Sequence, residues 1–341
     1  MKRRASVAVL SLSLLLSFIS CEVLLKNPEV PNNPVSNFEM LWKTFDERYA
    51  FFELKGVNWD SLYSVYRPRI NPSMRNAELF NICVEMLANL EDGHIYLRGD
   101  NDRRVYPWQS EFDSRTFNPT SLMNVYLSTG AERADGLIYR VFDGVGYIYY
   151  SSFTDNLSQV QLDKVFADFS FLGIRSLVID IRGNSGGNPD NAFRLAERLI
   201  PTEREVIHSR VKIGPGRNDF SATEIYTIRP RGNHQFTGPL AIITNQQTFS
   251  AANLFVGIMK SKPGLVHVGR QTGGGGGIPA AYSLPNGWTF AYSATILSLP
   301  NGYEIERGFA PQFTPTTSSA LNLLGRDPIL EFTINYMRNN F

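Results

Sequence analysis

The sequence predicts an α/β fold, and three observations carry that prediction. Two segments join an apolar run to a polar loop and then to an amphipathic stretch: SLVIDIRGNSGGNPDNAFRLAERLI at 176–200 and PLAIITNQQTFSAANLFVGIMK at 239–260. Runs rich in β-branched and aromatic residues, LIYRVF and VGYIYYSSF, precede them. Residues 37–98, by contrast, show only helical spacing. Strands alternating with helices indicate strand–helix units packed as layers around one sheet.

Taken in order, residues 1–20 pair a basic MKRR with the apolar ASVAVLSLSLLLSFIS, the pattern of a secretory leader rather than a spanning helix. It stops at Cys21, and Phe18-Ile19-Ser20-Cys21 resembles a bacterial lipobox. The resemblance implies that Cys21 is lipidated and that the mature chain is exported and held on a membrane, periplasmic or at the cell surface. The competing reading is an ordinary cleaved leader beside a chance cysteine. No later apolar run has the length needed to cross a bilayer. Residues 21–36 hold three prolines and read as a tether.

In 37–98, Phe38, Leu41, Trp42, Phe45 and Tyr49 share a helical face, and DSLYSVYRPRI suggests a second helix. Leu79, Phe80, Cys83, Met86, Leu87 and Leu90 form a third stripe, which stops at Glu91-Asp92-Gly93-His94. Residues 99–136 are polar and without period, an irregular connector. From 137 to 335 the pattern is that of the core. It holds two strands, a helix near 157–169, the two strand–loop–helix units, and a short strand around Val266. Five glycines at 273–277 follow, then strands turning at Asn286-Gly287 and Asn301-Gly302.

Removing the leader takes three of 33 Lys and Arg, leaving 30 against 32 Asp and Glu, about −2 in all. No basic stripe marks a nucleic-acid surface. Cys83 is the one cysteine after position 21, so no disulfide staples the fold and Cys83 reads as a small buried apolar residue.

Chemistry could reside in three places. Ser250 ends the loop before an apolar helical face at Ala251, Leu254, Phe255, Ile258 and Met259. Its bland reading is an N-cap, a position that serine favours. The same position suits a nucleophile, because free first-turn N–H groups can stabilise an oxyanion beside it. Gly186 and Gly187 follow a buried strand, where backbone N–H groups can approach a ligand; the loop fits neither dinucleotide- nor nucleoside-phosphate spacing, and a plain turn stays open. Asp180 and Arg182 flank that strand end and suit a pair that holds the loop. Of the four histidines (His94, His208, His234 and His267), His94 follows a helix end whose dipole favours an imidazolium, although an exposed loop histidine fits too.

Together these segments resemble the serine peptidases related to tail-specific (C-terminal processing) proteases and the tricorn core protease. LVIDIRGNSGG is similar to that family's strand and oxyanion loop, TFSAANLF to its nucleophile segment, VGRQTGGGGG to its downstream loop, EIERGFAPQF to its closing segment and LEDGHIYL to the DGH segment of its histidine-using branch. The resemblance spans roughly 38–335 and implies a Clp-protease/crotonase-like core with a small N-terminal helical domain. It also implies Ser250 as nucleophile, His94 as general base, Glu306 supporting it (Glu304 as fallback), and an oxyanion hole from Gly186 or Gly187 with Ala251.

Three departures matter. The lysine base of tail-specific proteases aligns with Gly275, and no lysine follows Lys262. The relay serine before the histidine is Gly93, which leaves the link from Glu306 to His94 to water, Asp92 or another hydroxyl, and the usual closing PD is Pro311-Gln312. The connector is too short for a PDZ domain. The expected partner is a peptide or protein substrate, with no cofactor and no metal. Two other readings compete: an inactive peptide- or ligand-binding lipoprotein, and a crotonase-type enzyme, which export disfavours.

Overall fold

The computed structural model describes residues 31–106, 117–317 and 324–341. The leader, Cys21 and residues 21–30 of the tether lie outside the described residues, as do 107–116 of the connector.

The N-terminal region is helical. Asn33 caps α1 (Pro34–Arg48) by accepting the Ser36 N–H at 3.0 Å, and Pro34 suits the first turn, where its missing N–H costs nothing. A single turn, α2 (Phe52–Lys55), ends at Gly56, whose φ of 65° provides the left-handed stop. Asn58 caps α3 (Trp59–Tyr66), and α4 (Asn76–Ala88) buries Leu79, Phe80, Cys83, Met86 and Leu87. Burial pushes the Cys83 thiol up to about 12, so it packs as a hydrophobe.

These helices do not close a core alone. Strand β1 (Tyr96–Arg98) pairs with β2 (Arg104–Val105) and with β12 (Thr289–Ser293), and β12 pairs with β11 (Pro279–Ser283). Phe38, Phe45, Trp59 and Met86 pack in one cluster with Trp288, Phe290 and Tyr292. The segment 37–98 thus shares its hydrophobic core with a hairpin nearly 200 positions downstream, which joins two sequence-distant pieces around His94.

The main sheet has the order β10-β9-β6-β5-β4-β3. It follows a one-turn helix α5 (Pro119–Ser121) and consists of β3 (Glu132–Ala134), β4 (Leu137–Phe142), β5 (Val145–Tyr150), β6 (Ser176–Asp180), β9 (Leu240–Thr244) and β10 (Val266–Gly269). β5, β6, β9 and β10 run parallel, and β3 and β4 add antiparallel at one edge. The crossover helices α6 (Gln159–Phe171), α7 (Pro189–Ala196) and α8 (Ala251–Met259) cover one face with Leu177, Ile179, Leu240 and Ile242. Val178, Ala241, Ile243 and Val268 on the other face meet α9 (Pro328–Asn340). Alternate residues of β6 and β9 therefore serve opposite layers, which explains the unbroken apolar runs in these strands. Each Leu, Ile or Val so buried contributes about 1.5–3 kcal/mol.

A third sheet, β13-β7-β8, uses β7 (Arg204–Val211), β8 (Glu224–Ile228) and β13 (Thr295–Ser298). No period in the sequence predicts β7 or β8. The expected turns do occur: Leu284 N–H reaches Trp288 O across Asn286-Gly287, and Leu299 N–H reaches Tyr303 O across Asn301-Gly302.

Candidate active site

Both loops of interest leave the C-terminal ends of adjacent parallel strands, β6 and β9, the usual place for function in such sheets. The loop after β6 is held by a buried ion network. Arg182 donates to both oxygens of Asp327 at 3.0 and 2.7 Å and to Asp180 Oδ1 at 2.9 Å, while Tyr147 donates to Asp180 Oδ2 at 2.9 Å. Asp180 and Arg182 are thus structural, and their third partner comes from the far C-terminal helix. Asn184, also buried, donates to Tyr150 O at 2.8 Å, accepts the Gly186 N–H at 2.9 Å, and receives the Phe249 N–H on its carbonyl at 3.1 Å. It ties the glycine loop to the residue before Ser250.

Ser250 is not a capping serine. It precedes α8 with φ 53° and ψ −122°, and its side chain makes no cap hydrogen bond. Such a backbone is costly for any residue with a Cβ and persists only where the surroundings impose it. They do so here through the Ser250 N–H to Gly274 O bond at 3.0 Å, the Phe249 N–H bond to Asn184, and Thr248 Oγ1, which donates to Ile181 O at 3.0 Å. Asn253 donates to Ile305 O at 2.8 Å and accepts from Thr272 Oγ1 at 2.7 Å, joining α8 to both downstream loops.

His94 Nε2 lies 3.0 Å from Ser250 Oγ across 156 positions of chain. Burial lowers the imidazole pKa; Asp92 opposes that and Lys55 adds to it. Of the other histidines, His267 bonds Thr244 and Lys260 and is lowered to about 3, while His208 pairs with Glu205. Lys262 donates to Leu199 O at 2.8 Å and is a buried structural amine.

Gly186 abuts the serine: a Cβ there would stand 2.7 Å from Ser250 Cβ and 2.9 Å from Ala251 N. Its own N–H is spent on Asn184. Among the described residues, neither the Gly187 nor the Ala251 N–H has a recorded protein partner.

Glu306 is buried but does not bond His94. Lys55 Nζ lies 2.9 Å from its Oε1, and the Gly276 N–H donates to its Oε2 at 2.7 Å. Burial, with Asp92 adding, raises its pKa to about 7 against the pull of Lys55. Glu304 is partly exposed and near Arg307. Lys55 was invisible to sequence reasoning, since nothing in FELK marks a residue that reaches a site built more than 200 positions later.

The two glycine departures share a neighbour in the Phe249 ring. A Cβ at Gly93 would meet Phe249 Cζ at 2.9 Å, and one at Gly275 would meet Phe249 Cε2 and Cζ at 2.6 Å and Ser250 N at 2.9 Å. The Phe249 ring, 4.8 Å from the His94 ring, fills the space that a relay serine or a base on the glycine loop would need.

A serine and a histidine in contact beside a glycine-rich loop suit acyl transfer. The model of peptidase family S41 matches residues 144–314, and the tricorn protease C1 domain matches residues 31–88. The chain belongs to peptidase family S41. A solved structure, described as a putative peptidase from Parabacteroides merdae, is 32% identical over 90% of this chain and 97% of its own, with a TM-score of 0.84. A probable CtpA-like serine protease of Staphylococcus haemolyticus is 25% identical over 55% of this chain and 36% of its own length. The carboxy-terminal processing protease CtpB of Bacillus subtilis is 24% identical over 49% and 33%. This S41 chain thus spans about a third of the curated relatives it matches.

Proposed function

We propose that this S41 member is a serine endopeptidase that hydrolyses peptide bonds through an acyl-serine, with Ser250 as nucleophile and His94 as general base. The 3.0 Å contact between His94 Nε2 and Ser250 Oγ, at a serine that caps nothing, is the observation that carries the reading. Ser250 Oγ attacks the scissile carbonyl carbon as its proton passes to His94 Nε2. The resulting oxyanion accepts from the Ala251 N–H and, with Gly186 committed to Asn184, from the Gly187 N–H. The imidazolium returns the proton to the leaving amine, and water then releases the acyl group by the same route. Glu306 makes no contact with His94, since its two oxygens are held by Lys55 and the Gly276 N–H.

A fluorophosphonate probe tests this. Labelling that maps to Ser250, vanishes in Ser250→Ala and falls sharply in His94→Ala is expected. Folded protein that never labels, yet binds peptides, would favour the inactive binding module instead. We also propose export and membrane anchoring through Cys21, supported by the sequence of residues 1–21. Cys21→Ala should abolish incorporation of labelled fatty acid and release the protein from membranes; unchanged incorporation would remove Cys21 as the site.

A further inference from the structure

Among the described residues, His94 Nδ1 and Asp92 Oδ2 are buried without a well-formed hydrogen bond, and the Tyr49 hydroxyl is placed close to the Asp92 carboxyl without a well-aligned bond to it. Asp92 Oδ1 accepts the His94 backbone N–H at 2.8 Å, which fixes that carboxylate beside the imidazole it precedes by two residues. Asp92 is only 1% exposed. Glu306, by contrast, has one oxygen on Lys55 and the other on the Gly276 N–H. Lys55 also donates to Glu91 O at 2.9 Å, so the amine is anchored to the loop that carries Asp92 and His94. The imidazole meets Ser250 and feels the charges of Lys55 from α2 and Asp92 from its own loop, while Tyr49 from the end of α1 and Glu306 from the turn after β13 act on Asp92 in turn.

We propose that Asp92 is the counter-ion and positioning residue of His94, and that Lys55 enforces this by holding Glu306. Lys55 pairs with Glu306, and among the described residues no cation is hydrogen-bonded to the buried Asp92 carboxyl. Such a group is costly unless a positive charge forms beside it. The imidazolium that appears as Ser250 attacks is that charge; the proton stays on His94 until it passes to the leaving amine. Of the neighbouring charges, Asp92 raises the imidazole pKa and Lys55 lowers it. The inference rests on the serine-hydrolase reading only for its consequence in rate, since the charge arrangement is measurable without turnover.

The test is the titration of His94 in the full chain carrying ¹⁵N-labelled histidine, with its signal assigned by loss in His94→Ala. Asp92→Asn should move the His94 midpoint down by about half a unit or more, and Lys55→Met should move it up. The fluorophosphonate labelling rate should fall by about 10²–10⁴-fold in Asp92→Asn, as when a histidine-orienting carboxylate is neutralised. That loss should exceed the loss in Glu306→Gln by at least about tenfold. An unmoved midpoint in Asp92→Asn, or a larger rate loss in Glu306→Gln, overturns the proposal. If Asp92→Asn does not fold, the Lys55→Met midpoint decides, and no upward shift overturns it. A wild-type chain that never labels defeats the hydrolase reading while the midpoints still judge the counter-ion.

Discussion

At φ 53° and ψ −122°, Ser250 occupies a region that costs a residue with a Cβ about 1–3 kcal/mol. Losing a capping serine costs about 1 kcal/mol. Because Ser250 makes no cap bond, Ser250→Ala should change unfolding free energy by less than about 0.5 kcal/mol, read from denaturant midpoints. Ser250→Gly should stabilise the fold by about 1 kcal/mol, since glycine enters this region freely. Both should abolish fluorophosphonate labelling, and a clear loss of stability in Ser250→Ala would restore the cap reading. Gly93→Ser should fail as a repair of the missing relay. Its Cβ meets the Phe249 ring, so it should cost about 1–3 kcal/mol by overpacking. Phe249→Leu in the same chain should recover part of that loss; full stability in the single variant would show that the ring yields without cost.

The glycine loop after β6 depends on an element remote from it, because Asp327 at the start of α9 completes the partner set of Arg182. Arg182→Met leaves two buried carboxylates facing each other. It should destabilise the fold by about 3–5 kcal/mol and take the active-site loop with it. Equilibrium unfolding measures this, and a loss under 1 kcal/mol would mean that water compensates the carboxylates. The two strand–loop–helix units were legible in the sequence because β6 and β9 are buried on both faces and therefore apolar throughout. β7 and β8 were not: their burial alternates irregularly, with a register shift between Glu205 and Ile207, so no period of two survives in the sequence. Asp180 and Arg182 could be paired by proximity, whereas Asp327 could not, since its part depends on where α9 docks.

The whole molecule brings His94, carried by the helical region and its hairpin, against Ser250 on the main sheet, and its charges set the response to pH. Burial holds the His94 pKa below the ordinary value of 6.5, so the acid limb of a labelling rate–pH profile should have its midpoint below that pH. A midpoint above it would point to another base. Glu306 acts on stability with the opposite trend. Its folded pKa of about 7 exceeds the unfolded 4.5, so its contribution is fully present below 4.5 and is lost as pH rises toward 7. The Tm should drift down across that window, and Glu306→Gln should flatten the drift; an unchanged slope would assign it to a different group. Ser250, His94, Asp92 and the glycine loop could be named from local motifs, whereas Lys55 depends on tertiary approach alone. The same ring of Phe249 stands against both Gly93 and Gly275, the positions where the resemblance leads one to expect a relay serine and a lysine base. A side chain added at either one arrives in occupied space, so restoring it calls for a smaller neighbour of the nucleophile as well.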